Sequence, residues 1–167
     1  MRVYLPTTLV ALPGLVRDGR HAGGSACAVT PALREWYANG DEEELEYAAL
    51  SRAARRSIEL LADEVTAPRR RVVIAADVDD ADVRTADLRM TAQGPGEADG
   101  PVDPAEVEVL VDVPLRGVTA VHVDDVSTVP LVRAALVDPE DETVQDDLEG
   151  VDLLWYATQE IDQLLPS

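Results

Sequence analysis

The sequence contains no lysine; all 14 of its basic residues are arginine. That excludes a Schiff-base lysine and the lysine–phosphate clamp of P-loop enzymes. Phenylalanine is absent too, so two Trp and four Tyr supply every aromatic ring. A single cysteine, Cys27, allows no internal disulfide, and the fold does not depend on an oxidising compartment. The two histidines, His21 and His122, lack the third ligand that a zinc site needs. No apolar run approaches about 18 residues, so no transmembrane helix is expected. The patterns GxSxG, HExxH, GxGxxG and CxxC do not occur. The early apolar stretch Leu9–Leu12 breaks at Pro13-Gly14 with no small-residue cleavage site after it. It reads as folded structure rather than a signal peptide, and the chain as cytoplasmic.

What is present is acid. The 167 residues, 46% of them hydrophobic, suffice for one domain over 1–167 with a real core. Against 14 arginines stand 33 carboxylates, a net charge of −19. Residues 1–71 hold 10 Arg and 10 Asp+Glu, so the whole excess lies in 72–167, with 4 Arg and 23 Asp+Glu. A field of that sign repels phosphate backbones and anionic membrane surfaces. It leaves a basic protein partner, a cation or simple solubility.

Periodicity then divides the chain. Val3–Leu5 and Ala26–Val29 read as strands, with a helix between them capped by Thr7 or Thr8 and closed by Gly19. Asp41 and Glu44 form a capping box ahead of a long helix with the stripe Tyr47, Leu50, Ala54, Ile58, Leu61 and Val65. Val72–Ala76 is a continuous apolar run of the kind buried on both faces. Val107, Val109, Val111 and Val113 alternate with mainly polar neighbours, as in a half-solvated strand. Between them Thr85–Pro104 is rich in Gly, Pro, Ala and Asp and predicts a mobile loop over 85–105. Val121–Val123 is a strand, followed by a helix near Thr128–Val137 and a strand from Leu153.

Strand–turn–helix echoes at Val3–Arg17 and Val121–Arg133, each completed by a later strand, point to two βαβ units and a ferredoxin-like arrangement with insertions. The expected class is α/β (α+β), a two-layer sandwich with a mixed β-sheet and helices on one face.

Two constellations bear chemistry. Val72–Ala76 and Val121–Val123 both end in aspartates, and parallel neighbours would gather Asp77, Asp79, Asp124 and Asp125 into a Mg2+ site for phosphoryl transfer or hydrolysis. A turn and helix-cap role is the commoner use of such residues. Asp138–Glu149 matches the acidic positions of a calcium loop but has Thr143 where that loop needs glycine. Cys27, between Ala26 and Ala28, reads as a buried inert thiol.

The aromatic dipeptides Trp36-Tyr37 and Trp155-Tyr156 are the other constellation. Strand neighbours face opposite sides, so one of Trp155 and Tyr156 must meet a second layer, a pocket or a partner. At least one member of each dipeptide is expected in the core, leaving the other for an interface.

Several segments taken together resemble a known family. They are Val3-Tyr4-Leu5-Pro6, Ala28–Tyr37, Glu43–Leu50, Arg69–Val73, Ala120–Asp124 and Leu153–Glu160. Together they resemble a family of small acidic actinobacterial proteins of unknown function. The resemblance implies a high-GC source, which accounts for the missing lysine, and carries no activity, cofactor or catalytic residue. The reading is therefore a non-enzymatic interaction or regulatory protein with a basic partner. A Mg2+-dependent hydrolase or phosphotransferase and a Trp/Tyr-lined small-ligand binder are the alternatives.

Overall fold

The computed structural model describes residues 1–85 and 102–165. Strand β1 (Arg2–Thr7) leads to α1 (Leu12–Asp18), which Gly19 closes in the left-handed region at φ 67°. The start of α1 differs from expectation. No side chain caps it, and the Thr8 hydroxyl instead donates to Glu64 at 2.9 Å. Next come β2 (Arg20–His21), β3 (Gly24–Ala28) and α2 (Pro31–Trp36), whose first turn is capped by Thr30 accepting from the Leu33 N–H. Helix α3 (Glu42–Asp63) opens with the expected Asp41–Glu44 capping box.

Strands β4 (Val72–Asp77), β5 (Val83–Thr85), β6 (Glu106–Val109), β7 (Val113–Pro114) and β8 (Val118–Val123) follow. Helices α4 (Val129–Val137) and α5 (Glu142–Glu149) precede β9 (Leu154–Ala157) and a 3-10 helix over Thr158–Leu164. The loop expected over 85–105 lies mainly outside the described residues. Among these, no helix is long and apolar enough to cross a membrane.

The class is α+β, built among the described residues on a seven-stranded sheet in the order β5-β6-β3-β1-β4-β8-β9 with a separate β2-β7 ribbon. Two details of the expected arrangement change. Every described strand pair is antiparallel, so the sheet is not mixed. The strands meant to complete two βαβ units, β3 and β9, lie antiparallel beside β1 and β8. The cause is the connection. More than one element separates each pair (α1 with β2, and a 3-10 turn with α4 and α5), so the chain returns to the end of the sheet it left.

Helices also cover both faces instead of one. Val3, Leu5, Val72, Ile74 and Val121 pack on one side with Leu12 and Leu15 of α1 and Ile161. On the other, Tyr4, Cys27, Val73 and Ala75 meet Leu33 of α2 and Leu45, Ala49 and Ala53 of α3. This double cover is why all of Val72–Ala76 is buried. The α3 stripe is rotated from the expected one. Ala54, Ile58 and Leu61 are buried, but Tyr47 and Val65 are exposed, while Leu45, Ala49, Ala53 and Ser57 face inward. Small residues let the helix lie close to the sheet. The Ser57 hydroxyl donates to the Thr7 carbonyl at 2.8 Å and accepts from the Val72 N–H at 3.0 Å.

Three consecutive arginines fasten the end of this assembly. Arg69 donates to the carbonyls of Leu61, Glu64 and Val65, satisfying the C-terminal turn of α3. Arg70 donates to the Asp124 carbonyl at 2.7 Å. Arg71 is buried and pairs with the Asp124 carboxylate through Nε and Nη2, both at 2.8 Å. Its remaining donors reach the carbonyls of Leu148 and Val151, at 3.1 and 3.3 Å.

Candidate functional site

The four aspartates do not converge. Strands β4 and β8 are neighbours, but antiparallel, so Asp77 and Asp124 end up at opposite ends of the sheet. Asp77 pairs with Arg2 at 2.8 Å, and that guanidinium holds its carboxyl below the usual range. Asp79 is exposed just beyond β4. Asp124 is committed to Arg71, and Asp125 accepts from the Ser127 N–H in a turn. No three His, Cys, Asp or Glu side chains assemble as a metal site among the described residues. The stretch compared with a calcium loop folds as a turn followed by α5, with Asp141 capping the helix.

The aromatic dipeptides behave differently from each other. Trp36 and Tyr37 sit at the end of α2 and both are exposed, so neither enters the core as expected. In β9 the alternation of a strand separates the pair. Tyr156 lies opposite Val121 and packs against the α1-side core. Trp155 lies opposite His122 on the α3 side and leaves 61% of its surface exposed.

Trp155 borders a cleft of about 350 Å3 between α3, the edge of the sheet and the α5–β9 turn. Its walls include Tyr47 and Leu50 of α3, His122 of β8, and Glu149, Asp152 and Leu153. The Tyr47 hydroxyl donates to Asp152 Oδ1 at 3.0 Å and fixes the turn against the helix. Burial first, then that carboxylate, raises the phenol above its ordinary value, so it remains a neutral donor. Arg71 lies in the wall, but its charge is matched by Asp124. Glu149 and Asp152 lie near the opening; Glu149 forms a long, exposed ion pair with Arg55 at 3.9 Å, and Asp152 has no ion-pair partner among the described residues. Helix α5 behind them carries Glu142, Asp146, Asp147 and Glu149 and no cation. A wider hollow of about 610 Å3 continues across α3 past Tyr37 and Arg52, sharing Tyr47, Ser51 and Glu149 with the cleft.

Sequence reasoning missed Asp152 and placed Tyr47 in the core stripe; it weighed Glu149 only as a calcium-loop position and His122 only as a metal ligand or a thiol's partner. The available signal was an aromatic residue on a helix whose neighbours at small-residue spacing form the true core stripe.

Cys27 is fully buried, and desolvation pushes its thiol up to about 12, which removes it from nucleophilic chemistry. Both histidines are held below their ordinary value, His21 by burial and His122 by burial and then Arg2. His21 Nδ1 is buried without a hydrogen-bond partner among the described residues. Each histidine protonates more readily in the unfolded chain, so their contribution to stability is complete above about pH 6.5 and is lost as pH falls towards their folded values. Urea midpoints should therefore drop between pH 7.5 and 5.5, above the range where most carboxylates titrate. His122→Gln should reduce that drop; an unchanged pH slope would contradict the assignment.

These features describe an α+β protein with an aromatic, acid-rimmed cleft at one edge of an antiparallel sheet. The chain belongs to DUF6912, a family of unknown function, whose model matches residues 1–165. No curated protein and no solved structure matches it.

Proposed function

We propose that the protein is a non-catalytic interaction or regulatory module of the cytoplasm, and that its cleft receives a basic segment of a protein partner. The observation that carries this reading is the exposed Trp155 indole, beside Tyr47 and the carboxylates of Glu149 and Asp152. An indole face attracts a guanidinium or ammonium by about 0.5–2 kcal/mol, most when the pair is desolvated. Carboxylates at the rim add charge complementarity, and the net charge of −19 steers cations towards the surface. The aromatic group supplies the anchor that charge alone lacks. The cleft volume also suits a small organic cation, which would use the same groups.

The test uses Trp155 as the reporter, in a Trp36→Phe background. A random decapeptide library rich in Arg and Lys should produce a saturable fluorescence change that weakens with salt, whereas an Asp/Glu-rich library should not. Trp155→Ala in the native background should weaken capture of the immobilised basic library about tenfold or more while leaving the unfolding midpoint unchanged. Equal responses to the two libraries would overturn the proposal. Competition by free methylguanidinium at millimolar concentration would favour the small-cation form of it.

A further inference from the structure

We propose that the partner segment binds as an added strand, pairing with β9 along the open edge of the sheet and alternating basic and apolar side chains. This rests on the reading of the cleft as a site for basic segments and assigns its mode of recognition.

The two edges of the sheet are built differently. Strand β5 closes one edge with Val83-Arg84-Thr85, where Arg84 forms an ion pair with Glu108 of the neighbouring strand. Charge on an edge strand is a common way of blocking unwanted strand pairing. Strand β9 closes the other edge with Leu154-Trp155-Tyr156-Ala157, which has neither charge nor proline. Leu154 and Trp155 are both exposed there, and no further strand pairs with β9 among the described residues. The Ala157 N–H donates to Glu160 at 2.8 Å, which occupies only the end of the edge.

Register dictates what an added strand meets. Strands lie about 4.8 Å apart, so the incoming residue beside Trp155 lies on the α3 side, within reach of the indole and towards Glu149 and Asp152. That position suits arginine or lysine. The residues on either side of it fall on the opposite face, next to Leu154 and Tyr156, and suit apolar side chains. Main-chain hydrogen bonds then provide affinity and the alternating side chains provide selection, as in other cases of strand addition.

A second copy of this chain fits the edge poorly. Its own β9 brings no cation, and its flanks carry Asp152, Glu160 and Asp162. Two chains of net charge −19 also repel.

The deciding experiment alters the peptide, so the folding of the protein is not at stake. An octapeptide alternating arginine and valine is compared with a block peptide of the same composition, in which all the valines precede all the arginines. The alternating peptide is also made N-methylated at every second residue, in each of the two registers. Trp155 fluorescence reports binding, and hydrogen exchange reports the amides of β9. The alternating peptide should bind about tenfold or more tighter than the block. One N-methylated register should lose most of that binding, and β9 amides should gain protection. If all these peptides bind alike and Trp155→Ala still weakens them, strand addition is wrong while the cleft reading stands. If none binds, both fail. Salt-dependent self-association of the free protein, blocked by Trp155→Ala, would replace the basic segment by a second copy and overturn the proposal.

Discussion

Asp124→Asn should destabilise the protein by about 3–5 kcal/mol, because it leaves the Arg71 guanidinium buried without its counter-charge. The Arg71 and Asp124 side chains are 4% and 0% exposed, so water cannot compensate for either. The carboxylate accepts from the Arg71 backbone N–H, from Nε and from Nη2, and the neutral amide loses the charge and part of this acceptor set. Arg71→Met should cost a comparable amount by stranding the anion and freeing the carbonyls of Leu148 and Val151. The double variant Arg71→Met/Asp124→Leu should recover much of the loss, since the desolvation of both ions disappears together. Denaturant unfolding of the parent, two single variants and the double variant closes the comparison. A double variant at least as unstable as the sum of the singles would show that the pair is not coupled as its geometry requires.

Leu61→Ala is the second large effect, with an expected loss of about 2–5 kcal/mol. Leu61 is fully buried among Ile58, Ala67, Val132, Ala135 and Leu148, where α3, α4 and α5 meet. Truncation removes transfer free energy and leaves a cavity at the point where the three helices converge. Val65→Ala is the matched control. It lies in the turn just beyond the end of α3 and is 75% exposed, so its loss should stay within about 0.5 kcal/mol. Equal losses at the two positions would show Val65 packed in the core, as the 3–4 spacing first indicates, instead of exposed beyond the helix end.

The rotation of the α3 stripe marks where sequence reasoning ended. The start of α3 was legible because Asp41 and Glu44 are a local signal, though the stripe overran its end at Asp63; so was the burial of Val72–Ala76, because an unbroken apolar run has no solvated side. Strand alternation likewise separated Trp155 from Tyr156. The buried face of α3 was not legible, since Ala49, Ala53 and Ser57 carry little hydrophobic signal and Tyr47 carries much. Strand direction was also hidden, because the period of two is the same in parallel and antiparallel sheets. That one ambiguity decided the aspartates: parallel strands would gather them, antiparallel ones separate them. It concealed Arg71 and Asp124 as well. Val72 pairs with Val123, so the residues flanking them lie directly opposite one another once the direction is known. Composition treats both as surface charges.

The arginine run also governs how the molecule breathes. Through Arg69, Arg70 and Arg71 the last turn of α3, the end of β8 and the turn leading to β9 share one contiguous restraint. Local opening proceeds in cooperative units rather than residue by residue. Opening the turn ahead of the edge strand must break the Arg71 bonds to Leu148 and Val151 and the Tyr47–Asp152 bond to the long helix. If the basic segment we propose binds there, it meets an edge tied to its neighbours in advance, and little ordering entropy is lost on the protein side of the encounter.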